Sequence, residues 1–182
     1  MTTRLAALPA VAAIALLALS GCAAPSSDPS PSPSAAASTA PTVDADAPCD
    51  GVKVIVSVGD LDVKNDPSTT TCVSADAPTP AATALMAAEI TTEGTDQYGD
   101  QVVCRVNGVP AADFTIPAPD GSAYTEKCES MPAAFAYWSL WVKPADGEWG
   151  YAQEGLGTLQ LSPGDSLELL FTLNDEPASP DA

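Results

Sequence analysis

The side chains of this 182-residue chain that could carry chemistry are five cysteines and 24 acidic residues, because the sequence contains no histidine. Without histidine, the Ser-His and Cys-His nucleophile pairs and the commonest metal ligand are missing. The acidic residues are scattered mostly at turns, where solvation explains them, and their spacing marks no pair of glycosidase carboxylates. We therefore expect a protein that is not an enzyme and needs no cofactor, with carboxylate catalysis as the minority alternative.

One cysteine, Cys22, closes the run Leu-Ser-Gly-Cys directly after the apolar stretch Leu5–Leu19, which follows a single charge at Arg4. That stretch is too short for a spanning helix, which needs roughly 20 apolar residues. The run resembles the lipobox of bacterial lipoproteins. The resemblance implies that residues 1–21 are a signal peptide and that Cys22 is acylated. It also implies that the protein is anchored by lipid at the extracytoplasmic face of the cell membrane.

The remainder of the chain divides by composition into a tether, a domain and a tail. Residues 22–47 are almost entirely Ala, Ser, Pro and Thr with a few Asp, and they contain too little apolar surface to offset the entropy of ordering. Residues 175–182 are also polar and rich in proline, and we expect disorder there as well. This leaves residues 48–174 as one domain of ordinary size.

Four cysteines lie inside that domain, namely Cys49, Cys72, Cys104 and Cys128. An even number in an exported chain indicates two disulfides, and four cysteines allow three connectivities. We favour the local pairing of Cys49 with Cys72 and of Cys104 with Cys128. A metal site is disfavoured because the sequence has neither a CxxC motif nor a histidine.

The formal net charge of −18 limits the partners of the protein. A polyanion repels phosphate backbones, so nucleic acid is excluded as a partner. The acidic turn after Gly59 begins with an Asp-x-Asp pair, but Lys64 and Thr71 stand where an EF-hand loop needs oxygen ligands. We therefore predict no calcium loop there.

Hydrophobic periodicity predicts an α+β fold in which one helix packs on one face of a mixed sheet. Thr79 is predicted to cap the helix, with Pro80 at its first position. Turns are predicted at Asn107-Gly108 and at Ser162–Asp165. The predicted strands lie at 52–58, 69–74, 101–106, 136–142, 149–153 and 166–173, and the predicted helix at 81–90.

Four segments in this order carry a family resemblance: Val103–Gly108, the aromatic strand Tyr137–Trp141, Glu154–Gly157, and Ser162–Leu169 with its Pro-Gly-Asp turn. They resemble the β-grasp-like C-terminal domain of transcobalamin and intrinsic factor, which also occurs in bacterial surface proteins. The resemblance covers most of residues 52–173. It implies a cobalamin-like ligand, with contacts from the following residues: Trp138, Gln153, Glu154, Gly155 and Leu156. We expect a membrane transporter as a further partner, to which the ligand would be passed.

All three tryptophans, together with Tyr137 and Tyr151, fall within residues 137–151. Strand alternation puts Trp138 on one face and Trp141 on the other. One face could form an exposed aromatic platform for a flat ligand, and Trp141 joins the predicted binding residues for that reason. The alternative is that these rings complete a small core. For the whole protein we expect non-catalytic binding of a small ligand, with a structural or protein-interaction module of the cell envelope as the alternative.

Overall fold

A computed structural model describes residues 48–181; the predicted signal peptide, the acylation site Cys22 and the tether over 22–47 lie outside these residues. The described chain is mostly β-sheet with one short helix, in keeping with the predicted α+β class. Its elements are β1 (Gly51–Ser57), β2 (Thr69–Ser74), β3 (Thr79–Pro80), α1 (Ala81–Ala87), β4 (Thr92–Thr95), β5 (Gly99–Val106), β6 (Ile116–Pro117), β7 (Ala123–Tyr124), β8 (Ala136–Lys143), β9 (Gly150–Tyr151), β10 (Gln160–Leu161) and β11 (Ser166–Leu173).

The main sheet has five strands in the order β2-β1-β11-β8-β9. Its central pair, β1 and β11, is parallel, with Val54 opposite Leu167. The other neighbours are antiparallel. Short two-stranded pairings, β10 with β3, β4 with β5 and β6 with β7, flank this sheet.

One face of the main sheet carries the hydrophobic core. Alternate positions of the three central strands point to it, because side chains along a strand alternate between faces. The helix α1 contacts β1 and buries Ala81, Ala84 and Leu85. The core residues of the three strands on this face are Val52, Val54, Val56, Ala136, Trp138, Leu167, Leu169 and Phe171.

The predicted elements agree most closely with the observed ones in two strands and two turns. The observed β11 and β2 have the predicted bounds, and the two predicted turns form, with positive φ angles at Asn107, Gly108 and Gly164. The predicted helix cap is wrong. Thr79 and Pro80 form the strand β3 against β10, so the helix starts at Ala81 without a side-chain cap.

The opposite face of the sheet holds a second buried cluster with polar members. Ser139 Oγ donates to the carbonyl of Leu170 at 2.8 Å and accepts the indole N–H of Trp141 at 2.9 Å. Glu168, which lies opposite Trp141 in the register, is only 6% exposed. Burial, and then the charge of Asp181, raises the pKa of Glu168 to about 7.

The C-terminal residues make specific contacts, although the sequence predicted disorder over 175–182. Asn174 and Asp175 both have positive φ, and the turn they form closes with hydrogen bonds between Leu173 and Glu176. Asn and Asp tolerate this backbone conformation better than other side chains with a Cβ. Further on, the indole of Trp149 donates to the carbonyl of Asp181 at 3.0 Å.

Two disulfides join Cys49 to Cys72 and Cys104 to Cys128, with Cα atoms 5.6 and 5.5 Å apart. This is the local pairing favoured from the sequence. The first links the start of the domain to β2, and the second links β5 to the segment before β8. Over residues 48–181, no helix is long and apolar enough to cross a bilayer.

The double variant Cys104→Ser/Cys128→Ser should lower the free energy of unfolding by about 3 kcal/mol, because the crosslink closes a loop with a sequence separation of 24. Urea denaturation of the oxidised protein measures this. The single variant Cys104→Ser should also expose one titratable thiol, that of Cys128. An unchanged midpoint and no new thiol would contradict this role of the crosslink.

Glu168 should make the fold less stable as the pH rises. The ordinary pKa of glutamate is 4.5 and the folded-state value is about 7, so between these values the folded state keeps a proton that the unfolded state has released. The resulting stabilisation is complete below pH 4.5 and is lost as the pH rises through 7. Glu168→Gln should therefore raise the melting temperature relative to wild type by roughly 2–5 °C more at pH 8 than at pH 5. The exposed Glu129→Gln is the control, and an equal shift at both pH values would refute the prediction.

Candidate functional site

A groove of about 370 Å³ lies at the outer edge of the main sheet, beside β8. Met131 contributes to its wall, together with three continuous stretches: residues 100–103 of β5, 137–140 of β8, and 151–156, which include the end of β9 and the loop that follows. Because β9 pairs only with Trp141 and Val142, the first half of β8 has no strand partner on that side among residues 48–181. The groove occupies the space that this short pairing leaves.

Five of the six predicted binding residues line this groove. They belong to two segments that are distant in sequence, the aromatic strand and the loop after β9. The five are Trp138, Gln153, Glu154, Gly155 and Leu156.

Trp138 is held as part of the groove wall. Its indole N–H donates to the carbonyl of Val109 at 2.9 Å, and its ring packs edge-on against Phe171 with centroids 5.3 Å apart. Since only 6% of the residue is exposed, the ring presents little area to a ligand. Trp138 therefore fixes the shape of the groove more than it offers a stacking surface.

Trp141, the sixth predicted binding residue, does not line the groove. Its ring stacks on Tyr151 at a centroid distance of 3.9 Å, and the residue is 6% exposed. The expectation that Trp141 could form an open platform does not match this arrangement, because Tyr151 covers it. Strand alternation gives the face of a side chain but not what covers that face.

Tyr151 provides the exposed aromatic surface instead, with 52% of the residue accessible. Burial raises the pKa of its hydroxyl, and a hydrogen bond with Tyr137 and the nearby charge of Asp175 raise it further. Met131, 61% exposed, also lines the groove. Tyr137 and Tyr151 were predicted as members of the aromatic cluster but not as site residues, and no pattern in the sequence pointed to Met131.

The loop that closes the groove is fixed by main-chain contacts. Gly155 lies against β5 so closely that a Cβ atom there would come within 2.7 Å of the Cα of Gln101. The carbonyl of Gly155 accepts the N–H groups of Thr158 and Leu159, both at 3.1 Å. Leu156 is anchored in the core, and the side-chain amide of Gln153 donates to the carbonyl of Tyr151 at 2.9 Å.

The charge of the groove is acidic. Asp100 and Glu154 belong to its lining, and no lysine or arginine of residues 48–181 does. A neighbouring cavity of about 370 Å³ shares residues 151–154 with the groove and adds Glu148. Another, of about 320 Å³, shares Tyr137, Trp138 and Met131 with the groove, and no charged residue of the described part of the chain lines it.

A second cluster of functional groups surrounds the Cys104–Cys128 disulfide, where Glu126 lies close to both sulfur atoms. Both sulfurs are bonded to each other, so no thiolate is available for a metal ion. The carboxylate of Glu126 accepts the N–H of Cys128 at 2.7 Å and the hydroxyl of Tyr124. Burial, followed by that bond to Glu126, raises the pKa of Tyr124 to about 12.

Arg105 completes this cluster as a structural clamp. Its guanidinium donates to the carbonyls of Pro110 and Glu126 at 2.8 and 2.7 Å and pairs with Glu93 at 2.8 Å. These bonds join three segments of the domain. The contacts of this cluster hold segments of the domain together. The groove beside β8 is therefore the better candidate for a functional site.

No family model matches this chain, and neither a curated protein nor a solved structure matches it.

Gly155→Ala should open the groove and destabilise the domain. The added methyl group meets the main chain of Gln101, so the loop must move away from β5. We expect a loss of about 1–3 kcal/mol in the free energy of unfolding, as is typical of overpacking. Urea denaturation tests this, with Gly157→Ala as the matched control because a Cβ at Gly157 has no neighbour within 4 Å. Equal stability of the two variants would contradict the close approach.

Proposed function

We propose that this domain binds a small ligand, without catalysis, in the groove between β5 and β8. The observation that carries the proposal is the convergence of Trp138 and the segment Gln153–Leu156 on one cavity. Its volume of about 370 Å³ falls in the range of roughly 300–1,000 Å³ that is usual for small-molecule sites. The exposed Tyr151 and Met131 supply apolar contact area beside polar groups that can orient a ligand.

The proposed cellular setting is the outer face of the cell membrane, with the lipid on Cys22 as anchor and a membrane transporter as recipient of the ligand. Support comes from the lipobox resemblance and from the two disulfides, which are typical of proteins that fold outside the reducing cytoplasm. The acidic surface adds solubility there.

We further propose that the fold is of the β-grasp-like type suggested by the family resemblance. A mixed sheet with a parallel central pair and a helix against its core face supports this assignment. The resemblance makes a corrinoid the first ligand to test. At about 370 Å³ the groove would hold part of so large a molecule, and a partner protein would cover the remainder.

The alternative is a structural or protein-interaction module of the cell envelope. Met86, at 71% exposed, and Tyr98, at 41%, are large apolar side chains outside the groove that such a role would use. The groove makes ligand binding the stronger proposal, because an interaction module needs no cavity.

Equilibrium dialysis of the full, oxidised protein in detergent against cobalamin, smaller corrinoids and a panel of small organic molecules tests the proposal. We expect saturable binding of at least one compound. Ala152→Trp, which fills the groove, should weaken it at least tenfold, whereas the exposed Ala111→Trp should leave it unchanged. The absence of binding, or binding that Ala152→Trp does not affect, would overturn the groove as the site and favour the interaction module.

A further inference from the structure

The walls of the groove combine two properties that together select a class of ligand, namely negative charge and exposed polarisable surface. We infer that the groove takes a small organic cation with an apolar body, such as a quaternary ammonium compound. This inference rests on the proposed function, since it names the chemical class of ligand for the same site.

The first property is the sign of the charge. Asp100 and Glu154 line the groove, Glu148 lines the cavity that continues from it, and no basic side chain of the described residues joins them. The chain as a whole has a formal net charge of −18, so the surrounding field adds to this local preference. Anionic ligands are repelled at such a site, and cations are concentrated there.

The basic side chains of β5 and β8 are engaged elsewhere. Arg105 of β5 pairs with Glu93 of β4 at 2.8 Å. The ammonium of Lys143 lies 5.9 Å from the ring centre of Trp149. Neither lines the groove, so the carboxylates of Asp100 and Glu154 are not neutralised by a lysine or arginine within it.

The second property is the nature of the apolar surface. Tyr151, which is 52% exposed and stacks on Trp141, belongs to the lining of the groove. Tyr137 also lines the groove, as does Met131, which is 61% exposed. The faces of aromatic rings attract cations, and methyl groups around a cationic nitrogen also gain from apolar contact.

A bare metal ion fits the groove less well than an organic cation. A metal ion needs several oxygen ligands converging within coordination distance. Among residues 48–181, the group of acidic and cysteine side chains close enough to share an ion is Cys104, Glu126 and Cys128, which lies outside the groove. Asp100 and Glu154 are thus placed to attract a cation but not to chelate one.

The test compares choline with its neutral isostere 3,3-dimethylbutan-1-ol, using equilibrium dialysis of the full, oxidised protein. Both have nearly the same shape, so a difference in affinity reports the charge. Choline should bind at least tenfold more tightly, equivalent to about 1.4 kcal/mol, and added salt should weaken its binding.

Variants assign the effect to the groove. Glu154→Gln and Tyr151→Leu should each weaken choline binding several-fold. Asp113→Asn removes an equal charge at an exposed position outside the groove and should have no effect.

The outcomes separate this inference from the proposed function. Equal binding of choline and the alcohol, or binding of a corrinoid or another neutral compound without choline, would overturn the cation preference and leave the ligand-binding function standing. Choline binding that Asp113→Asn weakens as much as Glu154→Gln does would also overturn it, because the attraction would then belong to the whole surface. If no compound binds, both proposals fail together.

Discussion

The parallel pairing of β1 with β11 is the constraint on which the rest of the domain depends. It brings the first and last long strands together at the centre of the sheet, in the register of Val54 with Leu167. Two further main-chain hydrogen bonds stabilise the start of this pairing: the N–H of Lys53 donates to the carbonyl of Asp165, and the N–H of Gly164 donates to the carbonyl of Gly51. All elements between these two strands in sequence therefore belong to a loop that this pairing closes, and β2, β8 and β9 of that loop extend the sheet on either side of the pair. Apolar side chains of both strands face α1, so a single pairing sets the core, the order of the strands and the position of β8 beside β11.

The groove follows from how the outer edge of β8 is covered. A full-length partner strand would pair along all of it, but β9 reaches only Trp141 and Val142. The chain then crosses from β9 to β5, where Gly155 touches Gln101 and Leu156 enters the core. The space between the unpaired part of β8 and this crossing is the cavity. Main-chain contacts, such as the close approach of Gly155 to Gln101, set the shape of this cavity.

Sequence patterns predicted the elements in which the local hydrophobic pattern matches the burial of the side chains in the fold. The strand Ser166–Leu173 was predicted to the residue because its alternation is regular. The helix was predicted to reach Ile90, yet the α-helix ends at Ala87 and the backbone turns left-handed at Glu89, a change that apolar periodicity does not record. Trp141 was expected at the site and is covered by Tyr151. A strand was predicted at 149–153, but the pairing that sets Tyr151 opposite Trp141 is not contained in the alternation of either strand. The family resemblance, and not periodicity, singled out residues 153–156.

The two disulfides also determine how the domain responds to a mechanical pull. A force that arrives along the chain from its N-terminal side enters the domain at Cys49, where it passes through sulfur to Cys72 in β2. The stretch between them, with a sequence separation of 23, is bypassed by a covalent path and adds no length under tension. The same holds for the stretch of separation 24 between Cys104 and Cys128. At about 3.3–3.6 Å per extended residue, each disulfide shortens the fully stretched chain by roughly 80 Å. A domain held on a tether would thus lengthen far less, when pulled apart, than its number of residues suggests.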